Sequence, residues 1–146
     1  QWGNNAQWGQ RLGWVADGHF GEQDLGCIAS AAYANAQALA QQLQPVLGRD
    51  VTLVQSPEKS AQAVRRVAWC SGGAQSYFEA AIAAGADVFV TGEISEPQAH
   101  LAREMGVAFI AAGHHATERY GVQALGDYLA RRFALEHLFI DCPNPV

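Results

Sequence analysis

Apolar positions along this chain fall into two rhythms. Between Ala31 and Leu47 the residues Ala36, Leu39, Ala40, Leu43 and Leu47 recur every three or four places. That spacing marks one face of a helix, and Gly48 stands where a left-handed C-cap is needed. Asn5 to Leu12 reads as a shorter helix closed by Gly13. Beyond Arg66 the rhythm changes to short apolar runs separated by helical stretches. Val67-Ala68-Trp69-Cys70, Val88-Phe89-Val90 and Val107-Ala108-Phe109-Ile110 read as strands. Helices are expected from Ala74 to Ala84, from Pro97 to Met105 and from Ala116 to Phe133, the first two ended by Gly85 and Gly106. Pro97 suits a first helical turn, where a missing N–H costs nothing. Leu138-Phe139-Ile140 reads as a last strand, stopped by Pro143-Asn144-Pro145. The first 60 residues alternate less cleanly. They offer a turn-rich stretch at Asp17 to Gly21, strands over Leu25 to Ala29 and Val51 to Val54, and a loop from Gln55 to Ser60.

Strand–helix alternation repeated three times predicts an α/β fold in one unit spanning residues 1–146. Its sheet is expected to be mostly parallel or mixed, with helices on both faces. In such sheets ligands sit outside the carboxyl ends of the strands. Three loops belong there, Cys70 to Ala74, Thr91 to Glu96 and Ala111 to Glu118, and they are expected to meet at one edge.

Composition works by exclusion. Of 146 residues, 49% are hydrophobic and 16% charged, enough apolar material for one core and too much for disorder. No apolar run approaches ~18 residues, so no membrane-spanning helix is expected. The opening Gln1-Trp2-Gly3-Asn4-Asn5 has neither the basic nor the apolar region of a signal peptide, and a cytoplasmic protein is expected. Nine basic residues against 14 acidic ones leave a net charge of −5. Without a basic cluster this argues against nucleic acid as a partner. Arg65-Arg66 and Arg131-Arg132 read as helix or strand ends. Cys27, Cys70 and Cys142 are odd in number and include no C-x-x-C pair, so they are expected to be reduced and mostly buried.

Candidate chemistry gathers in the three loops. In Gly113-His114-His115-Ala116-Thr117-Glu118, His114 and Glu118 are spaced i,i+4, on one helix face. An imidazole nitrogen and a carboxylate oxygen so placed suit a metal ion; helix capping by His114 and pairing of Glu118 with Arg119 or solvent is the plainer alternative. Two such ligands do not complete a site, since zinc-like centres use three or four. Glu93, just past a strand, is the candidate catalytic residue. It is placed to accept a proton, orient a water or support the ligands from behind, or else to stabilise the start of the next helix. Cys70-Ser71-Gly72-Gly73-Ala74-Gln75-Ser76 lacks dinucleotide or P-loop spacing and reads first as a tight strand-to-helix turn. Cys70 has no evident base to activate it. His19 and His137 read as structural, and His100 as structural or solvated.

Taken together, these blocks resemble one family. Val67-Ala68-Trp69-Cys70-Ser71-Gly72-Gly73, Val90-Thr91-Gly92-Glu93-Ile94-Ser95-Glu96, Ala111-Ala112-Gly113-His114-His115-Ala116-Thr117-Glu118-Arg119 and Phe139-Ile140-Asp141-Cys142-Pro143-Asn144-Pro145 are similar, in order, to the Nif-three-like family. Its members are also called GTP cyclohydrolase type 2 homologues, and the match is to the short bacterial type. Gly3-Asn4-Asn5-Ala6 matches as well. The resemblance implies a dinuclear centre of two divalent metal ions, with His114 and Glu118 as ligands. Zinc, iron, manganese and nickel all suit mixed nitrogen and oxygen donors. It implies that the remaining ligands, a His-His pair and an Asp, belong to an N-terminal half. The chain, which starts without Met, is then expected to be the C-terminal portion of a longer protein, with partial or no metal occupancy on its own. It further implies a homohexameric ring and a metal-dependent hydrolase with a nucleotide substrate. A metal-handling or adaptor protein without turnover is the alternative, and an inert structural half the third reading.

Overall fold

The computed structural model describes residues 1–144. Within them six strands and six α-helices follow in the order α1 (Asn4–Leu12), β1 (Gly18–Phe20), β2 (Gly26–Tyr33), α2 (Ala36–Leu47), β3 (Thr52–Val54), β4 (Val64–Trp69), α3 (Phe78–Ala83), β5 (Val88–Thr91), α4 (Glu96–Met105), β6 (Ala108–Ala111), α5 (His114–Glu118) and α6 (Tyr120–Phe133). They build one sheet in the order β1-β2-β4-β5-β6-β3. The sheet is mixed. β4, β5 and β6 run parallel at its centre, whereas β1, β2 and β3 pair antiparallel with their neighbours.

Strict alternation along the central strands separates two apolar layers, because successive side chains point to opposite faces. Val67, Trp69, Val88, Val90 and Ile110 pack under α1 and α2. Ala68, Phe89 and Phe109 pack under α3 and α4. Trp14 bridges Trp8 and Trp69, with ring centroids 6.2 and 5.2 Å away. Phe78, Phe89 and Phe109 interlock on the other face at 4.9–6.0 Å. The five apolar positions that predict α2 are all buried.

Several sequence expectations are corrected. Ala31 to Tyr33 belong to β2, not to the following helix. Tyr33 pairs with Val64, and Asn35 starts α2 by accepting the Ala38 N–H at 2.8 Å. The expected helix from Ala116 to Phe133 is two helices meeting at Arg119. The Gly121 N–H, which a continuous helix would direct to the carbonyl four residues back, instead donates to the Asn4 side chain at 2.8 Å. Leu138-Phe139-Ile140 is not a strand. Leu138 and Ile140 are exposed, and the tie from this part of the chain to α5 is made just beyond it, by Asp141 to His115 at 2.7 Å. Of the stop that follows it, Pro145 lies outside the described residues. The cysteines are mostly buried, as expected, Cys27 and Cys70 inside and Cys142 alone of the three exposed. The region from Ala74 to Ala84 folds as a 3-10 turn over Gln75–Tyr77 leading into α3. No helix among the described residues is long and apolar enough to cross a membrane.

Candidate metal centre

The three loops expected to meet do so at the carboxyl ends of β4, β5 and β6. Their backbones are bonded to one another. The Gly92 N–H and the Thr91 hydroxyl both donate to the Gly72 carbonyl, at 2.9 and 3.1 Å. The Gly113 N–H donates to the Gly92 carbonyl at 2.9 Å. The buried Thr117 hydroxyl accepts from the Gly72 N–H at 2.9 Å and donates to the His114 carbonyl at 3.0 Å. Glycine is required at two of these points. Gly72 has φ +72°, and a Cβ there would run into the Glu118 carboxylate. A Cβ on Gly92 would lie 2.6 Å from the Gly72 carbonyl oxygen and 2.7 Å from the His114 Cα.

On this junction sit His114, Glu118 and Glu93. His114 opens α5, with Gly113 in a positive-φ conformation ahead of it, and Glu118 is the last residue of α5. His114 Nε2 lies 2.9 Å from Glu118 Oε2, and its Nδ1 lies 2.6 Å from Glu93 Oε1. Glu93 is thus drawn towards the ring; Ser95 precedes α4 without a side-chain capping bond, and the acidic residue in the first turn of that helix is Glu96. The hydrogen bond that His114 donates to Glu93 raises the His114 pKa above the ordinary 6.5; partial burial opposes this, and the Glu118 charge reinforces it. The same bond holds the Glu93 carboxyl below its usual range.

A carboxylate accepts and does not donate, so each ring nitrogen that carries a proton donates it to its own carboxylate, and the shorter contact, 2.6 Å to Glu93 against 2.9 Å to Glu118, favours Nδ1–H in the neutral ring. The free tautomer then leaves a lone pair on Nε2 facing Glu118, two acceptors in contact. A proton on Nε2 relieves this, in keeping with the raised pKa, and so would a cation. Glu93 and Glu118 stand at opposite ring nitrogens, so the three groups cannot face one ion. Among the described residues no group of three or more His, Cys, Asp or Glu side chains is arranged to hold a metal. The donors therefore fit a metal in part: one nitrogen and one oxygen, with a carboxylate behind the histidine.

A cleft of about 680 Å³ opens beside these residues, walled by Arg119, Val122, Phe139 and Ile140. Its outer wall is held by Asp141, which takes His115 Nε2 at 2.7 Å and Arg119 Nη1 at 2.8 Å. The His115 hydrogen bond, more than Arg119, keeps the Asp141 carboxyl below its usual range.

The other sequence candidates lie apart from this centre. His100 is exposed and 3.9 Å from Glu96. His137 has a partner that spacing did not reveal, Asp127 at 2.8 Å, and His19 Nδ1 lies 3.8 Å from Cys27 Sγ. Cys70 is buried, its pKa raised mainly by desolvation, and its sulfur takes the Asn5 amide at 3.6 Å. Sequence reasoning overlooked Thr117, Asp141 and Asn5. Asn5 Oδ1 accepts the Ser71 N–H at 2.7 Å and so ties the first helix to the site. The only signal for these residues was their place inside the family blocks.

The Duf34/NIF3 (NGG1p interacting factor 3) family pattern matches residues 1–145. The chain belongs to the Duf34/NIF3 family. Within that family it is 52% identical over 147 residues to a protein of Pseudomonas aeruginosa named GTP cyclohydrolase 1 type 2 homolog, covering 98% of this chain and 57% of the relative. A Neisseria meningitidis serogroup B protein of the same name is 51% identical, again over 98% of this chain and 57% of its own. Among solved structures, protein ybgI superposes with a TM-score of 0.90 at 41% identity, covering all of this chain and 58% of that one. The chain thus spans a little over half the length of the Duf34/NIF3 relatives it matches.

Proposed function

We propose that this chain contributes His114 and Glu118 as ligands to a dinuclear metal centre, with Glu93 orienting His114, in a metal-dependent hydrolase acting on a nucleotide such as GTP. The observation that carries the reading is the His114 ring, gripped on both nitrogens by carboxylates at 2.6 and 2.9 Å. A histidine that binds metal through one nitrogen commonly donates its other N–H to a carboxylate, which fixes tautomer and aim. Glu93 fills that place, and Nε2 with Glu118 fills the ligand place. When bound, two close divalent ions lower the pKa of a bound water and supply a nucleophile near neutral pH. The chain's own part is to present the donors, to hold the Nδ1 proton on Glu93 and to wall the cleft with Phe139 and Ile140. On this reading the working form is a cytoplasmic homo-oligomer, a hexameric ring. The names of the relatives support the substrate class; they are names of those proteins.

The test uses the full-length protein, wild type and His114→Ala. Metal content is measured by elemental analysis, and nucleotide turnover by chromatography with a formate assay. Stoichiometric metal lost in His114→Ala, together with product from GTP, supports the reading. Metal equal in both proteins refutes the ligand assignment. One observation favours metal handling without turnover: the His114, Glu93 and Glu118 side chains are 42–43% exposed, open enough for exchange. Bound metal that leaves a panel of nucleotides untouched and passes to an acceptor decides for that alternative.

A further inference from the structure

We propose that Gln75 is a positioning residue for this centre, acting through Glu93 on the aim of His114. The proposal rests on the metal-site reading above and extends it by one residue. Glu93 lies in a short stretch without regular structure between β5 and α4. Its side chain is 43% exposed, and nothing in the local backbone fixes a long side chain in such a place. Two hydrogen bonds do. Oε1 accepts the His114 Nδ1–H at 2.6 Å, and Oε2 accepts the Gln75 amide Nε2–H at 3.3 Å. With each oxygen taken by a different donor, the plane of the carboxylate is set from both sides.

The orientation of the Gln75 amide follows from chemistry. A carboxylate only accepts, so the NH₂ end must face Glu93. The opposite end, Oε1, is buried and has no hydrogen-bond partner among the described residues. A buried unpaired acceptor is costly, and the turn does not need it. The 3-10 turn over Gln75–Tyr77 is closed by its backbone, Tyr77 N–H to the Ala74 carbonyl at 3.0 Å, and anchored by buried Ala74 and Phe78 on either side. The amide does its one piece of bonding on Glu93. Gln75, Glu93 and His114 therefore form a chain that begins in the β4–α3 turn and ends at the nitrogen offered to the metal. Without Gln75 the carboxylate is held on one side only, and the ring it steadies gains freedom.

Two substitutions separate this role from a structural one. Gln75→Met keeps the shape and removes the donor, and Gln75→Glu keeps the shape and opposes Glu93 with like charge. Two readouts are taken on the full-length protein. The first is the nitrogen-15 NMR signature of the His114 ring in metal-free protein, assigned by its loss in His114→Ala. The second is zinc affinity by competition with a chelator. Outer partners of a metal histidine are worth about 10–100-fold in affinity, and a residue one step further out is expected to be worth about 3–10-fold. Gln75→Met should keep the wild-type melting temperature, alter the Nδ1 signal and weaken zinc by that factor. Gln75→Glu should weaken it more. Ring signals and zinc affinity unchanged in both variants, while Glu93→Gln changes them, overturn the proposal. Altered ring signals in a wild-type background that takes up no zinc sink the metal reading and leave the Gln75–Glu93–His114 chain standing.

Discussion

Gly92→Ala is the sharpest test of how the three loops are held. The added Cβ would lie 2.6 Å from the Gly72 carbonyl oxygen, 2.7 Å from the His114 Cα and 2.9 Å from the His114 nitrogen. All three are backbone atoms, so no side chain can swing aside and the loops themselves must part. Overpacking of this kind costs about 1–3 kcal/mol. Parting the loops also strains the Gly92 N–H bond to Gly72 and the Gly113 N–H bond to Gly92, both 2.9 Å, at about 1 kcal/mol each. The total is about 3–5 kcal/mol. At roughly 2–4 °C per kcal/mol for a domain of this size, the melting temperature should fall by about 10 °C. Thermal melts and urea titrations of wild type and Gly92→Ala measure it. Gly3→Ala is the control, because a Cβ there meets nothing within 4 Å, and its shift should stay under about 1 kcal/mol. A Gly92→Ala protein melting within about 2 °C of wild type, with an unchanged urea slope, would refute the account of the junction.

Two further outcomes follow from the same geometry. In native protein an aromatic disulfide reagent should titrate one fast thiol per chain, Cys142, and three in denaturant. Cys27 and Cys70 are buried, and burial pushes the Cys27 thiol up to about 11; three fast native thiols would contradict the packing. The His114 imidazole should hold its proton above pH 6.5, and in Glu93→Gln its NMR titration midpoint should move down towards 6.5. The sign for stability follows. The raised pKa means that this bond's contribution is full below about 6.5 and fades as pH rises through the folded value. A midpoint unmoved by Glu93→Gln would show that the 2.6 Å contact does not govern the ring.

Period and punctuation carried much of the architecture. α2 was legible because five apolar residues share a helical face, and the central strands because Val67 to Trp69, Val88 to Val90 and Ala108 to Ile110 are short, apolar and followed by glycine-bearing turns. The limits have physical causes. Ala31 and Ala32 lean towards helix and Tyr33 towards strand, so local preference is divided and the decision falls to pairing with β4. Leu138 to Ile140 look like a strand, but composition says nothing about whether a neighbouring ladder has room. In the site, the i,i+4 spacing correctly put His114 and Glu118 side by side, and strand-end logic put Glu93 near them. That Glu93 takes the far ring nitrogen, and that Gln75 stands behind it, depends on how two loops cross and has no trace in local spacing.

The edges of the sheet have a consequence of their own. Its outermost strands, β1 and β3, are three residues each. Each therefore offers about 10 Å of ladder, too little to seed pairing with a foreign strand. Short edges are one of the ways natural sheets resist templated fibre growth. The longer central strands, apolar enough to be hazardous if bared, are flanked on both sides by these stubs. Substitutions that unzip β1 from β2, or β3 from β6, should therefore show first as aggregation rather than as loss of the centre at the strand ends.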